Sequence, residues 1–218
     1  MGLVAQGTFN YFARTHGLPE DAAQATRVLL QGTPVPVQVG IVNEHLFLVN
    51  ASLGLYPEML KGREAYTESF GRHRLVVLFA SALTLLSNYR TLRLRIDCEG
   101  TVRDVTTPTL FVGNNSIQLK RLGLPGAEAP HEGRVTAVML RPVGTLQMLG
   151  LMLRGALGKL GEAETIESFE FTQMQVRPRL LPGQRSIRVA MDGEVSRMRV
   201  PLDIGRSKRP LFLIKPRP

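Results

Sequence analysis

Short runs in which apolar and polar residues alternate recur along most of this chain, and a period of two is the pattern of strands with one buried and one wet face. Leu92-Arg93-Leu94-Arg95-Ile96 is a clear instance. Another runs from Val189 to Val200 through Asp192-Gly193, whose residue types suit a two-residue hairpin turn. The pattern predicts strands at Val35–Val42, His45–Ala51, Leu92–Asp97, Thr109–Gly113, Arg134–Arg141, Ile166–Val176, Ser186–Met191, Val195–Val200 and Leu211–Ile214. Many short strands separated by Gly and Pro point to a sandwich or a barrel.

Helical spacing is confined to a few stretches. Asn10–His16 and Pro19–Gln31 read as helices, with Asn10 suited to cap the first. The second has Pro19 in its first turn, Glu20 and Asp21 near its positive end and Gly32 as its stop. A longer helical insertion is predicted over Pro57–Tyr89, broken near Gly71. Its apolar run Leu75–Leu86 is shorter than the about twenty residues a bilayer span needs. In Thr145–Leu157, Leu146, Leu149, Leu153 and Leu157 fall on one helical face beside Met148 and Met152, which suits core packing or contact with a membrane. Gly123–Gly133 is the most loop-like interior stretch.

Composition narrows the classes. With 218 residues and 44% hydrophobic content the chain can bury a substantial core, as one large domain or as a domain and a fragment, and disorder is excluded. The one cysteine, Cys98, excludes an internal disulfide and a Cys-rich zinc site and fits a reducing compartment. His16, His45, His73 and His131 show no ligand spacing. The first residues lack a basic stretch followed by an apolar core, so no signal peptide is expected.

Twenty-seven Lys and Arg against 18 Asp and Glu give a net charge of +9, which directs attention to polyanionic partners. No nucleic-acid partner is expected, because no basic block with interleaved aromatics and no RNA-recognition or zinc-finger pattern occurs. Nucleotide phosphates and an anionic membrane surface suit the charge equally, and a solvated basic face without a partner stays open.

Four motifs stand in order. Gly7-Thr8-Phe9-Asn10-Tyr11-Phe12-Ala13-Arg14 is followed by Gly17-Leu18-Pro19. Phe47-Leu48-Val49-Asn50-Ala51-Ser52-Leu53-Gly54-Leu55-Tyr56-Pro57 is followed by Arg63-Glu64. Phe111-Val112-Gly113-Asn114-Asn115 comes next, and Met191-Asp192-Gly193-Glu194 leads to Pro201-Leu202 and Phe212-Leu213-Ile214-Lys215-Pro216. Taken alone, the first is a tight turn with a hydroxyl and a helix start, a place where backbone amides attract phosphate.

This ordered set resembles the bacterial branch of the diacylglycerol kinase family over nearly the whole chain. The resemblance implies a mainly β (α+β) fold: a β-sandwich C-terminal domain with an N-terminal helical remnant of an α/β nucleotide-binding domain. It divides the chain into residues 1–33, the tail of the nucleotide-binding domain, 34–205, the sandwich, and 206–218, a strand returning toward the nucleotide domain. It implies ATP and Mg2+ as cofactors, a diacylglycerol-like or sphingoid lipid as substrate, and a cytoplasmic protein at the membrane periphery. Leu75–Leu86 would then be a buried helix or an apolar wall near the lipid entrance. Gly7, Thr8 and Asn10 would face the nucleotide.

Phosphoryl transfer to a hydroxyl needs a proton acceptor and cations around the transferred phosphate. By the resemblance Glu194 is that acceptor and Asp192 orients it or helps bind the metal. The residues alone also allow a plain hairpin turn with Glu194 solvated beside it. Where the family carries an Asp-Gly pair that helps hold magnesium, this chain reads Pro130-His131-Glu132-Gly133, which makes Glu132 a candidate ligand. The family's Gly-Gly-Asp-Gly-Thr phosphate loop is not in these residues, and Met1–Gln6 reads as a strand entering the Gly-Thr turn. The chain is therefore expected to be a C-terminal portion without turnover on its own. The alternative is a non-enzymatic β-sandwich that binds lipid or an anionic partner.

Overall fold

The fold is described from a computed structural model over residues 1–7, 9–54, 91–144, 147–148, 150–151, 154 and 157–217. Two helices come first, α1 (Tyr11–Thr15) and α2 (Ala22–Gln31). Strands follow: β1 (Thr33–Val37), β2 (Gly40–Val42), β3 (His45–Phe47), β4 (Asn50–Gly54), β5 (Leu92–Cys98), β6 (Thr101–Thr107) and β7 (Thr109–Gly113). Beyond the short helix α3 (Ser116–Arg121) lie β8 (Val135–Leu140), β9 (Ile166–Phe171), β10 (Gln173–Pro178), β11 (Ser186–Met191), β12 (Glu194–Arg199), β13 (Leu202–Arg206) and β14 (Leu211–Lys215).

The strands form two six-stranded antiparallel sheets, ordered β3-β2-β13-β10-β5-β6 and β12-β11-β4-β7-β8-β9, while β1 pairs with β14 alone. One core lies between the large sheets. Phe47, Ile96, Val176 and Leu202 from the first meet Leu53, Leu110, Phe171 and Val189 from the second. All eight are essentially inaccessible, and each such side chain contributes about 1.5–3 kcal/mol on burial. The molecule is mainly β, with a sandwich at its centre.

The two sheets differ on their outer faces, as their sequences require. In β5, Leu94 and Ile96 are buried while Arg93 and Arg95 are exposed, so the outer face of the first sheet is wet. β8 reads Val-Thr-Ala-Val-Met-Leu and is buried at every position, which requires cover on both sides. Val135, Ala137 and Met139 face the sandwich core; Val138 is covered by Leu119 and Leu124, and Leu140 by Met148, Leu151 and Ala163. Within the Met-rich stretch, the described residues Met148 and Leu151 thus do core packing, and Leu157 is exposed.

A smaller core joins the chain's two ends. Phe12, Ala13 and Leu18 pack with Val37 of β1 and Leu213 of β14, and Leu48 and Val49 lean against them from the corner between β3 and β4.

Several predicted elements need correction. Val35–Val42 is two strands, β1 and β2, that belong to different sheets; His45–Ala51 is split at Leu48-Val49, and Ile166–Val176 at Thr172. β6 and β13 were not predicted; β6 is followed after Pro108 by β7, again in the opposite sheet. At Thr172 and Pro108 the inward positions change phase, from Phe171 to Met174 and from Val105 to Leu110, while both sides face the sandwich core; Val37 of β1 and Val42 of β2 face different cores. The helix expected from Pro19 starts at Ala22: the Asp21 carboxylate accepts from the Gln24 N–H at 2.8 Å and sets the start. Asn10 occupies the cap position of α1 in left-handed backbone, φ 47°, and its side chain makes no capping hydrogen bond. Thr8, the Leu55–Pro57 and Arg63-Glu64 parts of the second motif, and the expected insertion Pro57–Tyr89 lie outside the described residues.

Candidate functional site

Asp192 and Gly193 form the two-residue turn between β11 and β12, with Met191 opposite Glu194. Both turn residues have positive φ, 49° and 98°, a combination suited to the right-handed twist of a hairpin. The turn leans on the β3–β4 corner. The Asp192 carboxylate accepts the backbone N–H groups of Leu48 at 2.7 Å, Val49 at 2.8 Å and Asn50 at 3.1 Å. These are charge-assisted bonds to a single carboxylate, and they hold together chain segments far apart in sequence.

From this corner a line of buried amides runs inward. Asn50 and Ser52 alternate with the core residues Ala51 and Leu53, so they lie on the outer side of β4. The Asn50 Nδ2 donates to Gln118 Oε1 at 3.1 Å, and the Asn115 Oδ1 accepts the Gln118 N–H at 3.0 Å, capping α3. Asn114 Nδ2 donates to the Leu48 carbonyl at 3.0 Å, and its Oδ1 accepts from Gln38 Nε2 at 2.8 Å. Two buried oxygens, Asn50 Oδ1 and Ser52 Oγ, have no hydrogen-bond partner among the described residues. Unpaired buried acceptors are costly, so they mark β4 as a place to look for a donor from a ligand.

The N-terminal motif closes the other side. The Arg121 guanidinium at the end of α3 lies 5.0 Å from the Phe9 ring centre and 6.0 Å from that of Tyr11. Asn10 turns back toward Gly7, where an added Cβ would come to 3.0 Å from the Asn10 Oδ1. Leu48 and Val49 therefore serve twice: their side chains pack against the small core that holds Phe12 and Ala13 of α1, and their amides hold Asp192.

His131 Nε2 lies 3.1 Å from Ser116 Oγ at the start of α3. Burial, and then the positive charges of Lys215 and His131, lower the pKa of His16 at the end of α1 from 6.5 to about 4. His16 is accordingly neutral at pH 7 and packs edge-on against Phe12 at 4.5 Å.

The structure thus gathers Asp192, the Asn50 strand, Asn114-Asn115 and helix α1 along one seam. Glu194 is exposed at the first position of β12, on the same side of the sheet as Met191 and opposite to Asn50 and Ser52. Glu132 is exposed at the end of the 3-10 turn Ala129–Glu132. A divalent cation needs several hard oxygen ligands together. Among the described residues no group of three His, Cys, Asp or Glu side chains could hold a metal, and both Asp192 oxygens are already taken by amides. Sequence reasoning missed Gln38 and Gln118, which have no local signal: each acquires its role from partners distant in the chain.

No family model matches the sequence. Solved structures do. A candidate diacylglycerol kinase from Bacillus anthracis str. Sterne superposes with a TM-score of 0.67 at 18% identity, over 97% of this chain and 68% of that one. Another crystal structure from the same organism, of a diacylglycerol kinase, gives 0.60 at 19% identity over 97% and 65%. A third, again a candidate diacylglycerol kinase from that strain, gives 0.66 at 18% over 97% and 67%. The chain spans about two thirds of the length of these proteins and shares their fold over nearly all its own length.

Proposed function

We propose that this chain is the lipid-binding part of an ATP-dependent lipid kinase of the diacylglycerol kinase type. The observation that carries the reading is the meeting of the separate motifs at one corner, Leu48–Asn50, between the N-terminal helix and the sandwich. Residues that serve only their own strands have no reason to converge in this way. The shared fold with the Bacillus proteins supports the same reading.

In this reading Gly7 and Asn10 line the nucleotide side of the seam, and the lipid hydroxyl comes to the β11–β12 turn on the face that carries Glu194. ATP, when bound, supplies the γ-phosphoryl group. The lipid oxygen forms a bond to the γ-phosphorus as the bond to the β,γ-bridging oxygen breaks, and the hydroxyl proton passes to the exposed Glu194 carboxylate. Asp192 acts as a positioning residue that holds the turn carrying Glu194. No step is assigned to magnesium.

The test is phosphate transfer from radiolabelled ATP to a panel of diacylglycerols and sphingoid bases, using the product of the gene's full reading frame. Glu194→Gln should lower kcat by about a hundredfold or more, the scale of a lost general base. Transfer that is unchanged in this variant removes Glu194 from the mechanism, and transfer to no lipid removes the kinase reading. The non-enzymatic alternative is favoured by one observation, the saturation of Asp192 by backbone amides. It would be supported by lipid binding without transfer.

A further inference from the structure

The outer face of the first sheet carries charge that the seam does not use. Arg95 of β5 stands directly opposite Arg177 of β10 in the antiparallel register. Arg93 stands one pleat away, where its carbonyl accepts the Arg179 N–H at 2.8 Å. All four arginines are exposed and line an open groove of about 490 Å³ together with Thr106 and Asp104. Asp104 is the one acid in the groove wall, and it faces Arg95 across β6. No carboxylate among the described residues forms an ion pair with any of the four. The Arg177 Nε donates to Gln175 Oε1 at 2.8 Å, which fixes the plane of that guanidinium.

Arg95 is flanked by Arg177 on one neighbouring strand and by Asp104 on the other, so four guanidinium groups against one carboxylate leave the groove with net positive charge for an anion. Guanidinium forks match phosphate oxygens in pairs, and the groove has the volume of a small-molecule site. We infer that the groove bounded by Arg93, Arg95, Arg177 and Arg179 is a binding site for a phosphate-bearing ligand, separate from the seam at Asp192. The core of the sandwich lies between the two, since the arginines face outward from one sheet and Asn50 and Ser52 outward from the other. The ligand is either a soluble phosphorylated small molecule or the headgroup of an anionic phospholipid, and the same four side chains would recognise both. The inference does not depend on the kinase reading, because it concerns binding at the opposite face.

The experiment titrates inorganic pyrophosphate into the full chain by calorimetry without ATP and, in parallel, sediments the protein with phosphatidylcholine vesicles carrying phosphatidic acid. Arg95→Gln/Arg177→Gln is compared with Arg27→Gln/Arg209→Gln, which removes equal charge elsewhere on the exposed surface. The expected result is binding that weakens about tenfold or more in the groove variant and stays near wild type in the control. Binding of pyrophosphate identifies a soluble ligand, and binding to the vesicles alone identifies a headgroup. No binding in either arm, or equal losses in the two variants, overturns the proposal. Circular dichroism of both variants verifies that each is folded.

Discussion

Asp192 and Asn50 are joined in both directions: the Asp192 Oδ1 accepts the Asn50 N–H at 3.1 Å, and the Asn50 carbonyl accepts the Asp192 N–H at 3.0 Å. This reciprocal pair locks the β11–β12 turn to the start of β4. It gives Asp192 a structural duty that any catalytic one must share.

Replacing Asp192 with Ala removes the acceptor of three backbone amides and puts a residue that resists positive φ into the turn. The loss should be about 1–2 kcal/mol in urea unfolding. Asp192→Asn keeps one side-chain oxygen and tolerates the left-handed backbone, so it should lose less. Equal stability of all three proteins would show that the latch contributes nothing.

Gly40 stands directly opposite Phe47 in the β2–β3 pair, and the buried Phe47 ring lies over its Cα. A Cβ at Gly40 would overlap that ring, so Gly40→Ala should destabilise by about 1–3 kcal/mol through overpacking. The same substitution in a Phe47→Leu background should cost less. A double-mutant cycle measured by thermal unfolding tests the coupling.

Because the pKa of His16 is lowered from 6.5 to about 4 in the folded protein, the unfolded chain binds a proton first as pH falls. Proton uptake by the unfolded state lowers stability between those two values, while above the upper one the contribution of His16 is constant. His16→Gln should flatten the fall in urea midpoint over this range. An unchanged slope would place the acid sensitivity elsewhere.

Burial, reinforced by the Glu99 carboxylate, pushes the Cys98 thiol above its ordinary pKa. At neutral pH it should therefore react with iodoacetamide more slowly than a free cysteine in solution. Mass spectrometry of the labelled protein over a pH series gives the comparison, and faster labelling would contradict the assigned environment.

The neutral, partly buried His16 illustrates how far local sequence reaches. Its helix is readable from the Asn10–His16 spacing, yet its proton affinity depends first on its burial and then on Lys215 and His131, all of which only the fold supplies. Gln118 is similar: an ordinary polar residue at the start of a short helix, it becomes part of the seam only because Asn50 reaches it.

The sequence by itself determined the strand-rich character, the Asp192-Gly193 turn and the order of the motifs. Each depends on local alternation or on backbone preferences that a few residues express. It could not determine which sheet a strand joins. Thr172 and Pro108 separate strands of opposite sheets, and at each the inward positions change phase, from Phe171 to Met174 and from Val105 to Leu110, while entering the same core, so the local pattern marks a break without naming the partner sheet. The tertiary structure alone decided that the Asp192 carboxylate would meet the amides of Leu48, Val49 and Asn50. Hydrogen bonds between segments so distant in sequence exist only once both sheets have closed over that core.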